Sequence, residues 1–97
     1  MADRYEIRIT TEAVSDMEPL PAYHQRRVLD EIVQHLSFEP KQVSKSRIKL
    51  MEQPFWSQYR LRVEDFRVYY DVDDHRHQVV VLHVLYKGTA QTSPEKP

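Results

Sequence analysis

Apolar and polar residues alternate with a period of two from Tyr5 to Thr10, where Tyr5, Ile7 and Ile9 interleave with Glu6, Arg8 and Thr10. That period belongs to a strand with one buried face and predicts the first strand of a sheet. Thr10 and Thr11 then supply hydroxyls able to cap a short helix through Thr11–Met17, with Glu12 near its positive end. Pro19 and Pro21 stop that helix, and Pro21, which has no N–H to satisfy, suits the first turn of a second one. The second helix is expected to run to about Leu36. Leu29, Ile32, Val33 and Leu36 fall at helical spacing as its core face, while Gln25, Arg26, Asp30, Glu31 and Gln34 can meet water.

From Phe38 to Arg47 the periodicity fails around Pro40, which predicts an exposed connecting loop before a short strand near Ile48 to Met51. Strict alternation returns in Tyr59–Val63, breaks at Glu64 and Asp65, and resumes from Phe66 to Val72. A tight turn at Glu64-Asp65 fixes the register of this hairpin: Val63 faces Phe66, Leu61 faces Val68 and Tyr59 faces Tyr70. The other face then pairs Arg62 with Arg67 and Arg60 with Tyr69. Val79 to Tyr86 is apolar on both faces, as expected of a strand inside the sheet that is covered by the helices on one face and partly covered on the other. The fold expected is α+β, in the order β-α-α-β-β-β, with two N-terminal helices packed on a mainly antiparallel twisted sheet. One domain spans residues 1–88, with Gly88 at the end of the last strand. Residues 89–97, with two prolines and no apolar period, are expected to form a flexible tail.

Composition narrows the chemistry. The 97 residues suffice for one core and not for two, and 40% hydrophobic with 30% charged residues is an ordinary globular balance. There is no cysteine, which removes disulfides, thiolate metal sites and cysteine nucleophiles and suits a reducing compartment, so the cytoplasm is expected. No stretch approaches the roughly 20 apolar residues of a membrane span, and the charged start of the chain is unlike a signal peptide. The net charge of −1 points to no polyanionic partner, so any basic site must come from local clustering of the 14 Lys and Arg.

The clearest cluster is the hairpin. Like charges directly across a strand pair oppose stability, and guanidinium groups beside an aromatic ring suit a phosphate or carboxylate. The plainer alternative is a solvated hairpin face, offset by Glu64, Asp65 and Asp71. His75 and His77 share one side of an extended segment, but no further ligand cluster accompanies them, so a polar turn is expected and no metal. Glu12, Asp16 and Glu18 read as solvated charges of the first helix. No P-loop or nucleophile motif is present, and no cofactor is expected.

Lys49-Leu50, Trp56, the run Tyr59–Tyr70 and Val81-Leu82-His83-Val84 with a basic residue close behind resemble the RelE/ParE family of bacterial toxins, over about residues 5 to 87. The resemblance implies the toxin of a type II toxin–antitoxin pair, held by a cognate protein antitoxin. Its RelE-like branch implies a ribosome-dependent mRNA endonuclease that needs no metal. The alternative is a binding module, either a ParE-like inhibitor of DNA gyrase or a degenerate toxin that only binds its antitoxin. By position in the family pattern, Arg60, Arg62, Arg67 and Lys87 are the catalytic candidates, and Lys49, Tyr69 and Tyr86 the RNA-binding ones. Active RelE-like nucleases carry a further basic run and a tyrosine where this chain has Gly88 and its tail, and no tyrosine follows Tyr86. Tyr69 and His83 are the remaining groups for proton transfer, although a histidine within an apolar strand is more often packed than catalytic.

Overall fold

The computed structural model describes residues 3–87. Strand β1 (Glu6–Ile9) leads into helix α1 (Thr11–Met17) and helix α2 (Ala22–Leu36). Four strands follow: β2 (Ile48–Leu50), β3 (Tyr59–Val63), β4 (Phe66–Asp73) and β5 (Gln78–Tyr86). The sheet order is β1-β5-β4-β3-β2; β1 runs parallel to β5 and every other pair is antiparallel. This is the expected α+β architecture, and β2 is the short strand expected near Ile48, at one edge of the sheet.

Thr10 shows how sequence sets the first junction. Its backbone is extended, its hydroxyl accepts the Ala13 N–H as an N-cap, and the same Oγ1 donates to the Val81 carbonyl at 2.8 Å. One residue thus starts α1 and ties it to β5. Pro21 occupies the N-cap position of α2, one residue before the helix proper.

The core lies between the helices and one face of the sheet. Leu61 and Val63 of β3, Phe66, Val68, Tyr70 and Val72 of β4, and Val79, Val81 and Val84 of β5 meet Ala13, Met17, Val28, Ile32 and Leu36. The face of α2 differs from expectation. Val28, Ile32 and Leu36 are fully buried, while Leu29 and Val33 stay 39% and 46% exposed. The stripe at i, i+4 and i+8 faces the sheet. Leu29 and Val33 each sit about 100° further round the helix, where Val33 borders an open groove with Tyr5 and Ile7 of the β1 edge. Each of the three buried side chains contributes about 1.5–3 kcal/mol by leaving water.

Two further expectations are corrected. Pro40, placed in an exposed loop by its sequence, is fully buried, and its carbonyl accepts the Tyr70 hydroxyl at 2.6 Å. Burial holds the Tyr70 phenol far above the usual tyrosine range, so it remains a donor. Asp16 is half-buried rather than a solvated charge, because its Oδ2 accepts from Val84 N and pairs with His83 Nδ1, each at 2.9 Å. β1 ends at Ile9, which leaves the outer edge of β5 unpaired beyond Val81, and the Asp16 carboxylate fills that gap. Residues 74–77 form the polar turn expected between β4 and β5, and no cluster of three metal-ligating side chains occurs among the described residues. Gly88 and the tail lie outside the described residues, and no described helix is long and apolar enough to cross a membrane.

Candidate functional site

The hairpin has the register derived from its turn: Tyr59↔Tyr70, Arg60↔Tyr69, Leu61↔Val68, Arg62↔Arg67 and Val63↔Phe66. Leu61, Val63, Phe66, Val68 and Tyr70 face the core, so Arg60, Arg62, Arg67 and Tyr69 share the sheet face turned away from it. The neighbouring strands extend the grid. Lys49 of β2 stands opposite Arg60, and His83 of β5 stands opposite Tyr69. One row across four strands therefore reads Lys49, Arg60, Tyr69, His83. The next row holds Arg62, Arg67 and Leu85.

Crowding on this face leaves electrostatic traces. Arg67 is held below the usual arginine range, first by burial and then by the neighbouring Arg60 and Arg62 cations. Its Nη1 donates to the Glu64 and Phe66 carbonyls at 3.1 and 3.0 Å, which fixes the guanidinium against the turn. Tyr69 is 2% exposed, and burial raises its phenol although Arg60 and Arg67 pull the other way. It is a neutral phenol at neutral pH and no base. The Arg60 Nε is buried with no hydrogen-bond partner among the described residues. Arg62 is exposed and makes no side-chain hydrogen bond or ion pair among them.

A cover of aromatic rings stands over part of this face. Trp56 packs on Tyr69 with ring centroids 4.5 Å apart, stacks on Phe55 at 4.9 Å and meets His83 edge-on at 5.5 Å. Asp71 accepts the Gln58 N–H at 2.7 Å, and Gln58 Oε1 accepts the Val72 N–H at 2.9 Å, so the loop before β3 is fastened to β4. The Asp71 carboxylate is thus occupied by the loop rather than by the arginines. His83 lies under Trp56 with its Nδ1 on Asp16, a packed position with a fixed ring.

The other candidates are placed less uniformly. Lys87 sits at the turn end of the hairpin, its N–H donating to the Asp65 carbonyl at 2.7 Å and its Nζ 3.5 Å from Asp65 Oδ1. Tyr86 pairs with Phe66 and packs edge-on against it at 5.9 Å, on the helix side of the sheet. The structure therefore brings together Arg60, Arg62, Arg67, Tyr69 and Lys49, puts Lys87 at the rim, and leaves Tyr86 on the opposite face. Sequence reasoning missed Arg47. It precedes Lys49 by two residues, and the Arg62 N–H donates to its carbonyl at 2.8 Å, so it continues the Arg62–Arg67 row. The i, i+2 spacing Arg47, Lys49 was the available signal. Phe55, which joins the aromatic cover, was also missed, and its position depends on a loop that no periodicity describes.

A family model described as the ParE toxin of type II toxin–antitoxin systems, parDE, matches residues 7–90. Among solved structures, the fold is similar to a chain of the toxin–antitoxin complex RelBE2 from Mycobacterium tuberculosis. That match has 29% identity and a TM-score of 0.75, and covers 86% of this chain and 91% of that one. A chain of the archaeal RelE–RelB complex from Pyrococcus horikoshii is 26% identical with a TM-score of 0.61, covering 88% and 97%. A chain of the RelB–RelE complex from Methanococcus jannaschii shares the fold at 18% identity and a TM-score of 0.60, covering 87% and 94%. No curated protein matches the chain.

Proposed function

The chain belongs to the ParE toxin family of type II toxin–antitoxin systems, within the RelE/ParE group, and from that premise we propose that it is a ribosome-dependent mRNA endonuclease, neutralised by a cognate protein antitoxin. One observation carries the reading. Arg60, Arg62 and Arg67 are held on one sheet face with two of them directly opposed, at a cost in stability that a bound anion would offset. In RNA cleavage the 2′-OH attacks its own phosphate, and negative charge grows on the phosphorane as the 5′-oxygen leaves. Fixed guanidinium groups stabilise that charge, and Arg adds a bidentate fork that lysine lacks. Arg67, anchored by two carbonyls, is the most rigid of the three, whereas Arg62 is free to follow the phosphate. Lys87 adds charge at the rim. Lys49 extends the Arg60 row as a backbone contact, and Trp56 and Phe55, packed over the buried Tyr69, present aromatic surface beside it. Tyr86 lies on the other face, away from this row. The antitoxin would cover the exposed Leu29 and Val33 of α2 and the groove that Val33 shares with the β1 edge, where apolar surface stands open.

Primer extension on an mRNA being translated tests the reading. Wild-type chain should give cleavage in phase with codons, lost in an Arg62→Ala/Arg67→Ala variant, and no cleavage at a dose that stops growth would refute it. The second reading is a binding module that inhibits DNA gyrase or only engages its antitoxin. It is favoured by Tyr86, the last tyrosine of the chain, lying on the helix side away from the arginines. Loss of gyrase supercoiling activity on addition of the chain, with translated mRNA intact, would support it.

A further inference from the structure

Beside the arginine face, a cleft of about 230 Å³ opens between α2 and β3 and is lined by Arg27, Glu31, Ser46, Arg47, Arg62 and Glu64. We propose that this cleft is a second phosphate site, holding the phosphodiester next to the one on Arg62 and Arg67 and so leading single-stranded RNA over the edge of the sheet. The proposal rests on the RNA-cleaving reading above and adds a contact outside it.

The charges in the cleft are unevenly satisfied. Glu64 is engaged by Arg27 at 3.2 Å and Glu31 by His35 at 3.1 Å. Arg47 and Arg62 have no carboxylate within ion-pair distance among the described residues. The Arg27–Glu64 pair is exposed, and a pair of that kind is weak enough for an arriving phosphate to share its guanidinium. The site is also preorganised. Ser44 Oγ accepts the Arg47 and Ile48 N–H groups at 3.1 and 3.2 Å, while the Arg47 carbonyl accepts Arg62 N–H at 2.8 Å. The backbone of Arg47 is thereby fixed on both sides, at the end of the β2–β3 pairing, whose last bond is the one to Arg62 N–H.

Geometry favours a repeating anion over an acidic peptide. Arg47, Arg62 and Arg67 lie in one row across neighbouring strands, which are spaced about 4.8 Å apart, so the line of charge is roughly 10 Å long. A peptide partner needs a desolvated apolar anchor as well as charge. The only apolar residue lining this cleft is Val63, which is 2% exposed.

The test is fluorescence anisotropy of a labelled single-stranded RNA with the purified full chain at several KCl concentrations. Each phosphate contact contributes about 0.7 to the slope of log K against log salt. Arg47→Ala should lower that slope by about 0.7 and weaken binding about tenfold at low salt. Arg47→Lys should keep the slope, which separates loss of charge from loss of fold. If Arg47→Ala keeps the wild-type slope while Arg62→Ala/Arg67→Ala lowers it, the second site is refuted and the arginine-face reading stands. Were the wild-type chain to show no salt-dependent binding to RNA, the second site would be refuted, while the ribosome-dependent reading is decided by primer extension on translated mRNA. Should Arg47→Ala weaken capture of the purified antitoxin and leave the RNA isotherms unchanged, the cleft serves the protein partner and the proposal fails.

Discussion

Neutralising Arg62 should make the protein more stable and, on the proposed function, less able to bind RNA. Arg62 is exposed, forms no side-chain bond among the described residues, and stands opposite Arg67 on one side and beside Arg47 on the other. Like charges directly across strands cost a few tenths of a kcal/mol to about 1 kcal/mol per pair. With two such neighbours and partial screening, Arg62→Gln is expected to gain roughly 0.5–1 kcal/mol, since the backbone bonds and the core-facing neighbours Leu61 and Val63 are untouched. For a domain of this size that gain raises Tm by about 2–8 °C. Thermal unfolding followed by circular dichroism at low salt reads it directly. Arg62→Lys, which keeps the charge, should melt with the wild type. Salt supplies the internal control, because a Debye length of about 3 Å near 1 M salt screens the repulsion and should shrink the difference. A low-salt Tm for Arg62→Gln at or below that of the wild type would refute the repulsion argument. So would a gain that survives undiminished in high salt.

Three further outcomes test other parts of the structure. Tyr70→Phe removes the donor to the buried Pro40 carbonyl and should cost about 1–3 kcal/mol in urea titrations, whereas an unchanged midpoint would mean the carbonyl finds another donor. Ile32→Ala should cost about 2–5 kcal/mol while Val33→Ala stays within about 0.5 kcal/mol, and equal losses would contradict the helix face observed. Asp74 is held below its ordinary value of 3.8, chiefly by the hydrogen bond from Lys41, so the folded state binds fewer protons there than the unfolded one. Its contribution is present above pH 3.8 and disappears as pH falls through the lower folded value. Asp74→Asn should therefore flatten the acid limb of the stability curve, and a limb as steep as the wild type's would count against the pair.

Strand periods and turn chemistry made the sheet legible. In the hairpin, a two-residue turn leaves one register possible, and the alternation of Arg60, Leu61, Arg62 and Val63 then decides which side chains share a face. The helix face was harder to read, because five apolar residues, Val28, Leu29, Ile32, Val33 and Leu36, span more of α2 than the sheet can cover. Which of them are buried depends on how the helix rolls against the strands, a tertiary fact with no local signal. Asp16 was illegible for a similar reason. Its role follows from the unpaired edge of β5, 68 residues away, which exists only once β1 has ended. The loop that brings Trp56 onto Tyr69 and His83 is likewise fixed by contacts to β4 rather than by any pattern of its own.

The net charge of −1 and the arginine face together decide how a polyanion is met. Acidic residues do not neutralise the face from within: Glu64 and Asp65 stand at the turn, Asp71 is bound to the covering loop, and Asp16 is spent on β5. Seen from a distance the molecule is nearly neutral, so long-range steering contributes little to the rate of encounter. Within a Debye length of about 10 Å at 0.1 M salt, Arg60, Arg62, Arg67 and Lys49 present one sign. If the chain acts on RNA as proposed, affinity would therefore come from close contact and slow release. Substitutions among these arginines should change the dissociation rate far more than the association rate, which stopped-flow measurements on a labelled RNA can resolve.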